Sequence, residues 1–363
     1  MKVLFVALGT LEEACTRVRI HQYLPFLESR GVRATVVPFH PRPPRPGRSA
    51  GSPSRARRLV HALSEARRIA QVARLAREHD VVVVQRILPP PALQRYLARS
   101  CRALLFDFDD AIYTTHAGAA PEPHARERFA HLLALADLVV TSTPHLAAVA
   151  EPYCERVVVI PSPVDCDRFR PAIRGASPRS VTIGWIGRDS TTMYLEPLLP
   201  VLARLKNAHP DLSIRLVGAL PGTAAGVAEV APWSLATEVD ELARFDIGIM
   251  PLTDDDWARG KGGYKILQYF ACGVPAVASP VGVNTQIVRE GETGFLASDP
   301  GEWERRLSLL IADRALRERM GTACRRAAVE EHSLVRTGPR ILAVLEETHQ
   351  AAADRRRAKT RQG

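Results

Sequence analysis

Short apolar runs alternate along the chain with segments in which apolar residues recur every three or four positions. In the first half, runs of strand length occupy residues 2–7, 32–38, 80–85, 103–108, 138–142 and 157–160. In the second half, they occupy residues 181–187, 213–218, 246–250 and 274–279. Continuous apolar runs of this length are typical of strands that are buried on both faces. Their alternation with helical segments predicts an α/β protein with parallel sheets.

Length and composition limit the class of protein. A chain of 363 residues is long enough for two domains of ordinary size, and a hydrophobic content of 46% excludes wholesale disorder. The net charge of +10 is compatible with nucleic acid, an anionic membrane surface or an anionic substrate as the partner. No apolar run approaches the roughly 18 residues that span a bilayer, so any membrane contact is expected to be peripheral.

The cysteines and the first residues indicate the compartment. Six cysteines are scattered without a Cys-x-x-Cys pair. The opening MKVLFVALG has neither a basic n-region nor a cleavable apolar region. We therefore expect a reduced, cytoplasmic protein.

The most basic part of the chain is residues 42–77, which contain ten arginines. Residues 41–54 are rich in Pro, Arg, Gly and Ser and are expected to form a mobile loop. Residues 55–77 have the pattern of an amphipathic helix. The region contains no Trp, Tyr or Phe, whereas single-stranded nucleic acid is bound by basic residues interleaved with aromatic ones. We therefore expect no nucleic-acid partner.

The stretch 260–297 carries the densest set of candidate ligand contacts. Its pattern predicts a glycine-rich loop, a helix, a short buried strand and a second glycine loop. A loop at the start of a helix presents unpaired backbone N–H groups and the positive end of the helix dipole, so an anionic group such as a diphosphate is the natural ligand. The candidate contacts are Lys261, Lys265, Gln268, Gly282 and Asn284.

In order and spacing, this stretch resembles the C-terminal half of the glycosyltransferase family 4 type, the large retaining GT-B group with a Glu-x7-Glu signature. In that family the second Glu binds the ribose, and Gln268 stands in its place in the phrase QYFACGVPAVA. The first Glu, which contacts the donor sugar, falls at Gly260. A subset of the family reads Gly-Lys-x-x-x-Lys before this helix, and Lys261 and Lys265 follow that variant. An amide at position 268 can still pair with a diol, by accepting from one hydroxyl and donating to the other.

A second match is the pair Gly187 and Arg188, which follows a predicted strand. The resemblance implies that Arg188 binds the donor diphosphate, and a planar guanidinium suits this role because it donates two parallel hydrogen bonds to phosphate oxygens. The family's lysine for the same task falls at Tyr194. Lys265 or Lys261 is expected to replace that cation.

In the first half, candidate residues lie where predicted strands end. Gly9 follows the first strand, where an open α/β sheet binds ligands, but the G-x-G-x-x-G pattern of dinucleotide sites is missing. Asp107, Asp109 and Asp110 lie at the end of another strand. An Asp-x-Asp in this place can hold a divalent metal in the other nucleotide-sugar transferase architecture, GT-A. In a GT-B enzyme, Asp109 or Asp110 would instead contact the acceptor or the donor sugar, and this is the interpretation that we prefer.

The resemblance implies a GT-B fold, in which two Rossmann-like domains with parallel sheets face a central cleft. We expect an acceptor-side domain at residues 1–170 and a nucleotide-sugar-binding domain at residues 171–332. A terminal helix at residues 333–350 would cross back to the first domain. Residues 351–363 would form a disordered basic tail.

The implied reaction moves a sugar from a nucleotide-sugar donor to an acceptor hydroxyl with retention of anomeric configuration. Arg188, Lys265 and Asp110 are the expected catalytic residues, and neither a metal nor a cofactor beyond the donor itself is expected. The acceptor would be a small molecule, a glycan or a lipid-linked group. In the family, the region that corresponds to residues 42–77 can rest on anionic lipid, and a solvated helix face is the alternative interpretation of its arginines.

Two alternatives to this function stay open. A catalytically inactive subunit of the same fold would explain the departures at Gly260 and Gln268 together. A metal-dependent transferase would use Asp107 and Asp109.

Overall fold

The computed structural model describes residues 1–40, 55–115, 124–172 and 180–362. These residues fall into two compact units. The first unit consists of Met1–Ser162 and Thr337–Gly363, and the second of Pro163–Arg336. The second unit therefore begins at Pro163, ahead of the start at residue 171 that the sequence predicts.

The first unit is a six-stranded parallel sheet with helices. Its strands are β1 (Lys2–Ala7), β2 (Arg33–Pro38), β3 (Val81–Gln85), β4 (Leu104–Phe108), β5 (Leu138–Thr141) and β6 (Val157–Val159). Its first helices are α1 (Ala14–Arg19), α2 (Leu24–Ser29), α3 (Arg55–Glu78), α4 (Pro91–Ser100), α5 (Ala125–Leu135) and α6 (Pro144–Ala150). The strand order is β2-β1-β3-β4-β5-β6, with parallel pairing throughout.

The central strands of this sheet are buried on both faces, as their apolar runs predict. All residues of β3, β4 and β5 are buried. Because β1 lies between β2 and β3, the direction of winding changes between β1 and β3. Ligands of open α/β sheets bind outside the carboxyl ends of the strands at such a point.

The second unit is another six-stranded parallel sheet. Its strands are β7 (Thr182–Ile186), β8 (Ser213–Val217), β9 (Glu229–Ala231), β10 (Ile247–Met250), β11 (Ala276–Ala278) and β12 (Gly294–Leu296). Its helices are α7 (Leu199–Ala208), α8 (Glu238–Leu242), α9 (Asp256–Arg259), α10 (Tyr264–Ala271), α11 (Asn284–Ile287), α12 (Pro300–Ala312) and α13 (Arg314–Glu331). The strand order is β12-β11-β10-β7-β8-β9.

This strand order is that of a doubly wound nucleotide-binding sheet, with β7 as its first strand. The winding reverses between β7 and β10, so the expected ligand crevice lies at the carboxyl ends of these two strands. Apolar residues of α10 belong to one core cluster of the unit and those of α7 and α12 to a second, and α13 contributes to both. The prediction of two Rossmann-like units with parallel sheets is confirmed.

The last helix is α14 (Leu334–Gln362), which continues through the segment for which the sequence predicts a disordered tail. Ala and Arg, which each occur four times in this segment, have high helix propensity, so positive charge alone does not end the helix. Within the first unit, Arg340 Nη2 donates to the carbonyl oxygen of Val159 at 2.6 Å.

The basic helix α3 agrees with the helix predicted at residues 55–77. The loop predicted at residues 41–54 lies outside the described part of the chain. Across the described ranges, no helix combines the length and the apolar character that crossing a bilayer requires.

A buried ion pair joins α1 to the end of β4 in the first unit. Arg19 Nε lies 3.2 Å from both carboxylate oxygens of Asp107, and Arg19 Nη2 donates to Asp107 Oδ1 as well. Arg19 Nη1 donates to the carbonyl oxygen of Ile160 at 2.6 Å. Arg19 is 4% exposed and Asp107 is 3% exposed. The Asp107 carboxylate therefore acts as the buried partner of a guanidinium.

Asp107→Asn should destabilise the first unit, because it leaves the buried Arg19 without its counter-charge. Loss of one partner of a buried pair typically costs about 3–5 kcal/mol. The measurement is urea unfolding followed by far-UV circular dichroism. Asp80→Asn is the control, since Asp80 forms an exposed pair with Arg102, and such pairs contribute about 0–1 kcal/mol. Equal unfolding midpoints for the two variants would contradict a structural role for Asp107.

Candidate functional site

The crevice between β7 and β10 is held open by the hydroxyl group of Tyr269, a residue of α10. This oxygen accepts a hydrogen bond from the backbone N–H of Ile186 at 3.2 Å and donates to the carbonyl oxygen of Ile249 at 3.1 Å. Direct pairing of the two strands joins only Ile247 with Ile183 and Gly248 with Gly184. Tyr269 thus takes the place of the next strand-to-strand bond and fixes α10 against the crevice.

The Tyr269 ring fits because a glycine lies beneath it. A Cβ atom on Gly248 would approach the ring to 2.3 Å, far closer than van der Waals contact permits. Burial raises the pKa of the Tyr269 phenol, so the hydroxyl remains a neutral donor at physiological pH.

The chain leaves β7 through Gly187 and Arg188, the pair that the sequence assigns to the diphosphate. Gly187 is half-buried, and Arg188 is exposed. The ring of Trp185 lies under this turn, since a Cβ atom on Gly187 would come within 2.2 Å of it. Lys265 Nζ lies 5.3 Å from the centroid of the same ring. Lys265 and the Gly187 turn therefore lie against one indole, so that this ammonium is near the turn from which Arg188 extends.

Helix α10 begins next to this turn. Its N-cap, Gly263, has φ of 66°, in the left-handed region that glycine adopts without strain. The first N–H groups of the helix and its positive dipole end add to the two cations. Lys261 precedes the helix, and its ammonium lies 5.4 Å from the ring centroid of Trp257. Tyr194, at the position of the family's second cation, is buried in an apolar cluster with Ala258.

Gln268, one residue before Tyr269, lies in a buried polar cluster. Its Nε2 donates to Glu238 Oε1 at 3.0 Å, and the two residues are 3% and 2% exposed. Trp233 Nε1 donates to the same oxygen at 3.2 Å. Arg168 Nη2 lies 2.9 Å from Glu238 Oε2. The predicted nucleotide contact is therefore bonded to a carboxylate that the sequence analysis did not single out.

Asn284 and Gly282 lie beyond β11, on the loop that leads into α11. Asn284 is 1% exposed, and its Nδ2 donates to the carbonyl oxygen of Ser279 at 3.0 Å. No hydrogen bond from the described residues reaches Asn284 Oδ1. A Cβ atom on Gly263 would lie 3.7 Å from this oxygen, and one on Gly282 would lie 2.7 Å from the carbonyl oxygen of Arg259. Asn284 thus presents a buried acceptor beside the start of α10.

In the first unit, charged side chains gather where β3 and β4 end. Arg86 follows β3 and has φ of 53°, a left-handed conformation that costs a residue other than glycine on the order of 1–3 kcal/mol. Its guanidinium donates to Asp110 Oδ2 at 2.5 Å, and Nη1 lies 3.4 Å from Asp109 Oδ1. Burial, and then the neighbouring Asp110 charge, raise the pKa of Asp109 against the lowering effect of Arg86.

The other predicted residues of the first unit are engaged within the fold. The N–H of Gly9 donates to Thr16 Oγ1 at 3.2 Å, and a Cβ atom on Gly9 would lie 2.5 Å from Glu13 Cγ. Asp107 and Asp109, the candidate metal ligands, are each paired with an arginine. Within the part of the chain that the structure describes, no group of three or more His, Cys, Asp or Glu side chains is arranged to hold a metal ion.

Residues 180–313 match a model of the family described as glycosyl transferases group 1. D-inositol 3-phosphate glycosyltransferase of Thermobifida fusca is 29% identical over 241 residues, which cover 57% of this chain and 54% of the relative. The protein of the same name from Kribbella flavida is 30% identical over 194 residues, 46% of each chain. The chain thus spans about half the length of these curated relatives.

Two solved structures show the fold. Sucrose-phosphate synthase from Thermosynechococcus elongatus superposes with a TM-score of 0.74 at 13% identity and covers 97% of this chain and 100% of that one. Anabaena HepE in complex with UDP superposes with a TM-score of 0.66 at 16% identity and covers 96% of this chain and 100% of that one. The two Rossmann-like units are therefore those of the GT-B fold. Residues 180–313, which contain the β7/β10 crevice, match the glycosyl transferases group 1 model, in agreement with the glycosyltransferase resemblance inferred from the sequence.

Tyr269→Phe should destabilise the second unit by about 1–3 kcal/mol, because the change leaves a buried N–H and a buried carbonyl group without their partner. All four tryptophans lie in the second unit, so urea unfolding followed by tryptophan fluorescence reports on it directly. An unfolding midpoint equal to that of the parent would show that the hydroxyl does not bridge the strands.

Proposed function

We propose that this protein transfers a sugar from a nucleotide-sugar donor to an acceptor hydroxyl, with retention of anomeric configuration. The observation that carries the proposal is the set of groups around the β7/β10 crevice. Arg188, Lys265 and the start of α10 offer positive charge for a diphosphate, and Gln268 lies buried on the same helix. The names of the relatives and the UDP complex of a structural neighbour support the same class of donor.

On the donor side, the protein's task is electrostatic. Negative charge grows on the diphosphate as the bond to the sugar breaks, and groups that bind it more strongly at that stage lower the barrier. Arg188 is suited to this because each charge-assisted hydrogen bond contributes about 1.5–3 kcal/mol. The departing diphosphate can itself take the proton of the acceptor hydroxyl, so the proposal needs no protein side chain as general base.

On the acceptor side, we propose that Asp110 and its neighbour Asp109 bind hydroxyl groups of the acceptor. Both carboxylates lie at the carboxyl-terminal edge of the first sheet, and Arg86 orients them. Carboxyl oxygens accept hydrogen bonds from hydroxyl groups. The relatives' name, which includes an inositol phosphate, supports a hydroxyl-rich small acceptor. The acceptor class stays open to glycans and lipid-linked groups.

We propose that transfer requires no metal ion. In the second unit, cations and a helix N-terminus already offer the charge that a divalent ion would bring to the diphosphate. The Asp-x-Asp carboxylates are each engaged by an arginine, which weakens their affinity for a cation.

A peripheral contact with an anionic membrane through α3 forms part of the proposal. Leu63, Arg67, Arg74 and Arg77 are exposed on this helix, whereas Val72 and Ala76 are buried. A helix with exposed arginines and an exposed apolar side chain is suited to the interface of an anionic bilayer.

The experiment that tests the function is a turnover assay. The protein is incubated with UDP-, GDP- and ADP-linked sugars and a panel of polyol and sugar acceptors, and the nucleoside diphosphate and the glycosylated product are quantified. We expect product with retained configuration from one donor, in EDTA as well as in manganese. Nucleotide binding without turnover would favour the inactive subunit to which Gly260 and Gln268 point, and turnover that manganese restores after EDTA would favour the metal-dependent alternative.

Arg188→Ala should lower kcat/KM by about 100-fold or more, which is typical for loss of a group that stabilises charge in the transition state. The matched control is Arg204→Ala, since Arg204 forms an exposed pair with Glu304 in the same unit. Steady-state kinetics on both variants separate the loss of a site residue from a general loss of positive charge. A value of kcat/KM within a few-fold of the parent would remove Arg188 from the site.

A further inference from the structure

A buried hydrogen bond joins Gln268, at the position of the family's second glutamate, to Glu238. We infer that the two residues act as one unit that recognises the ribose of the donor nucleotide, with Glu238 carrying the carboxylate that position 268 lacks. The inference rests on the proposed function, because it assumes a nucleotide in the β7/β10 crevice.

The donating end of the Gln268 amide is used within the protein. A side-chain amide has one donating and one accepting end, and Gln268 Nε2 is bonded to Glu238 Oε1 at 3.0 Å. The donating end is therefore used inside the protein. Gln268 cannot serve a diol by accepting from one hydroxyl and donating to the other, as the sequence alone suggests. In the inferred unit, Gln268 Oε1 is the end of the amide that accepts from a ribose hydroxyl.

The Glu238 carboxylate is contacted by an indole and a guanidinium. Trp233 Nε1 donates to its Oε1, and Arg168 Nη2 lies 2.9 Å from its Oε2. The guanidinium charge compensates a carboxylate that is 2% exposed, and the indole restricts its rotation. Glu238 is thus a fixed point that sets the direction of the Gln268 amide, which makes it a positioning residue for ribose recognition.

The contact with Glu238 favours an amide at position 268. A glutamate there would place a second carboxylate against Glu238 at hydrogen-bond distance in a buried cluster. Two carboxylates in such a site cannot both stay ionised, so one of them would take up a proton. A glutamate at position 268 would therefore keep the contact with Glu238 only when the pair binds a proton, whereas the Gln268 amide keeps it without one. An exchange of the two groups, with the carboxylate at 268 and the amide at 238, would again need no added proton.

The experiment exchanges the two groups. Calorimetry measures binding of UDP, GDP and ADP to the parent, and the tightest of the three is then compared with its 2′-deoxy and 3′-deoxy forms. We expect the parent to prefer the ribonucleotide by about 10-fold or more, as expected when a buried acceptor loses its partner. The variants are Glu238→Gln, Gln268→Glu and the double exchange Glu238→Gln with Gln268→Glu.

Each variant has a distinct expected result. Glu238→Gln should reduce the preference for the ribonucleotide to about 3-fold or less, because an amide pair can turn over and present either end. Gln268→Glu should bind at least about 10-fold more weakly than the parent, since the buried pair would then need a bound proton that the parent does not need. The double exchange should recover both the affinity and the ribose preference, because it again pairs one carboxylate with one amide. If Gln268→Glu does not fold, the recovery of folding and ribose preference in the double exchange still carries the test.

Glu241→Gln is the matched control. Glu241 lies on the same helix, and its carboxylate is bonded to Arg215. This variant should lower the thermal midpoint and leave the ribose preference unchanged, which separates a structural loss in α8 from ribose recognition. The inference is overturned if the parent prefers ribose and Glu238→Gln keeps that preference, or if the double exchange recovers neither property. Failure of the parent to bind any nucleoside diphosphate would instead contradict the proposed function.

Discussion

The hydroxyl group of Tyr269 lies between two strands that would otherwise pair along their length. Because it is bonded to Ile186 on one side and to Ile249 on the other, β7 and β10 separate at their carboxyl ends. The same side chain ties α10 to this opening. The preceding residue, Gln268, and the residue one turn earlier, Lys265, take their places from that attachment. The geometry of the candidate donor site therefore depends on one phenol bound in a crevice.

The departures from the family pattern at Gln268 and Tyr194 can be compared by the charge that each of them adds or removes near the proposed diphosphate site. A diphosphate is best served by cations and by helix N–H groups, which Arg188, Lys265 and the start of α10 offer. The family's carboxylate at position 268 would add negative charge on the same helix. In this chain the carboxylate belongs to Glu238 and is compensated by Arg168, and the helix carries a neutral amide. The loss of the family's second cation at Tyr194 is consistent with this lower negative charge.

Most of the fold could be predicted from the sequence, because buried parallel strands leave continuous apolar runs. Arg188 could be placed at the end of β7 for the same reason. The strands β9 and β12 were missed, since β9 begins with the polar Glu229 and β12 with Gly294, whereas β6 and β11, which are equally short, lie within continuous apolar runs. The helix that continues to Gln362 was also missed, because the basic composition of the tail was interpreted as a sign of disorder and its high helix propensity was not considered.

The polar contacts of the site could not be predicted from local patterns. Glu238 reaches Gln268 from a helix thirty positions away in sequence, and only the packing of α8 against α10 brings them together. The ring of Tyr269 is buried, as expected for an aromatic residue in an apolar helix, but the role of its hydroxyl depends on two strands that are distant in sequence. Arg86 is the residue that the sequence could have indicated, because it directly follows a predicted strand. In the structure it lies beside the Asp109 and Asp110 carboxylates.

The central claim is that the crevice between β7 and β10 binds the nucleotide of a sugar donor. A crystal structure of the protein with a bound nucleoside diphosphate tests it most directly. The account predicts the diphosphate at the Gly187–Arg188 turn and the start of α10, with a ribose hydroxyl donating to Gln268 Oε1. A nucleotide bound at the carboxyl ends of β1 and β3, or one whose ribose lies away from Gln268, would contradict it.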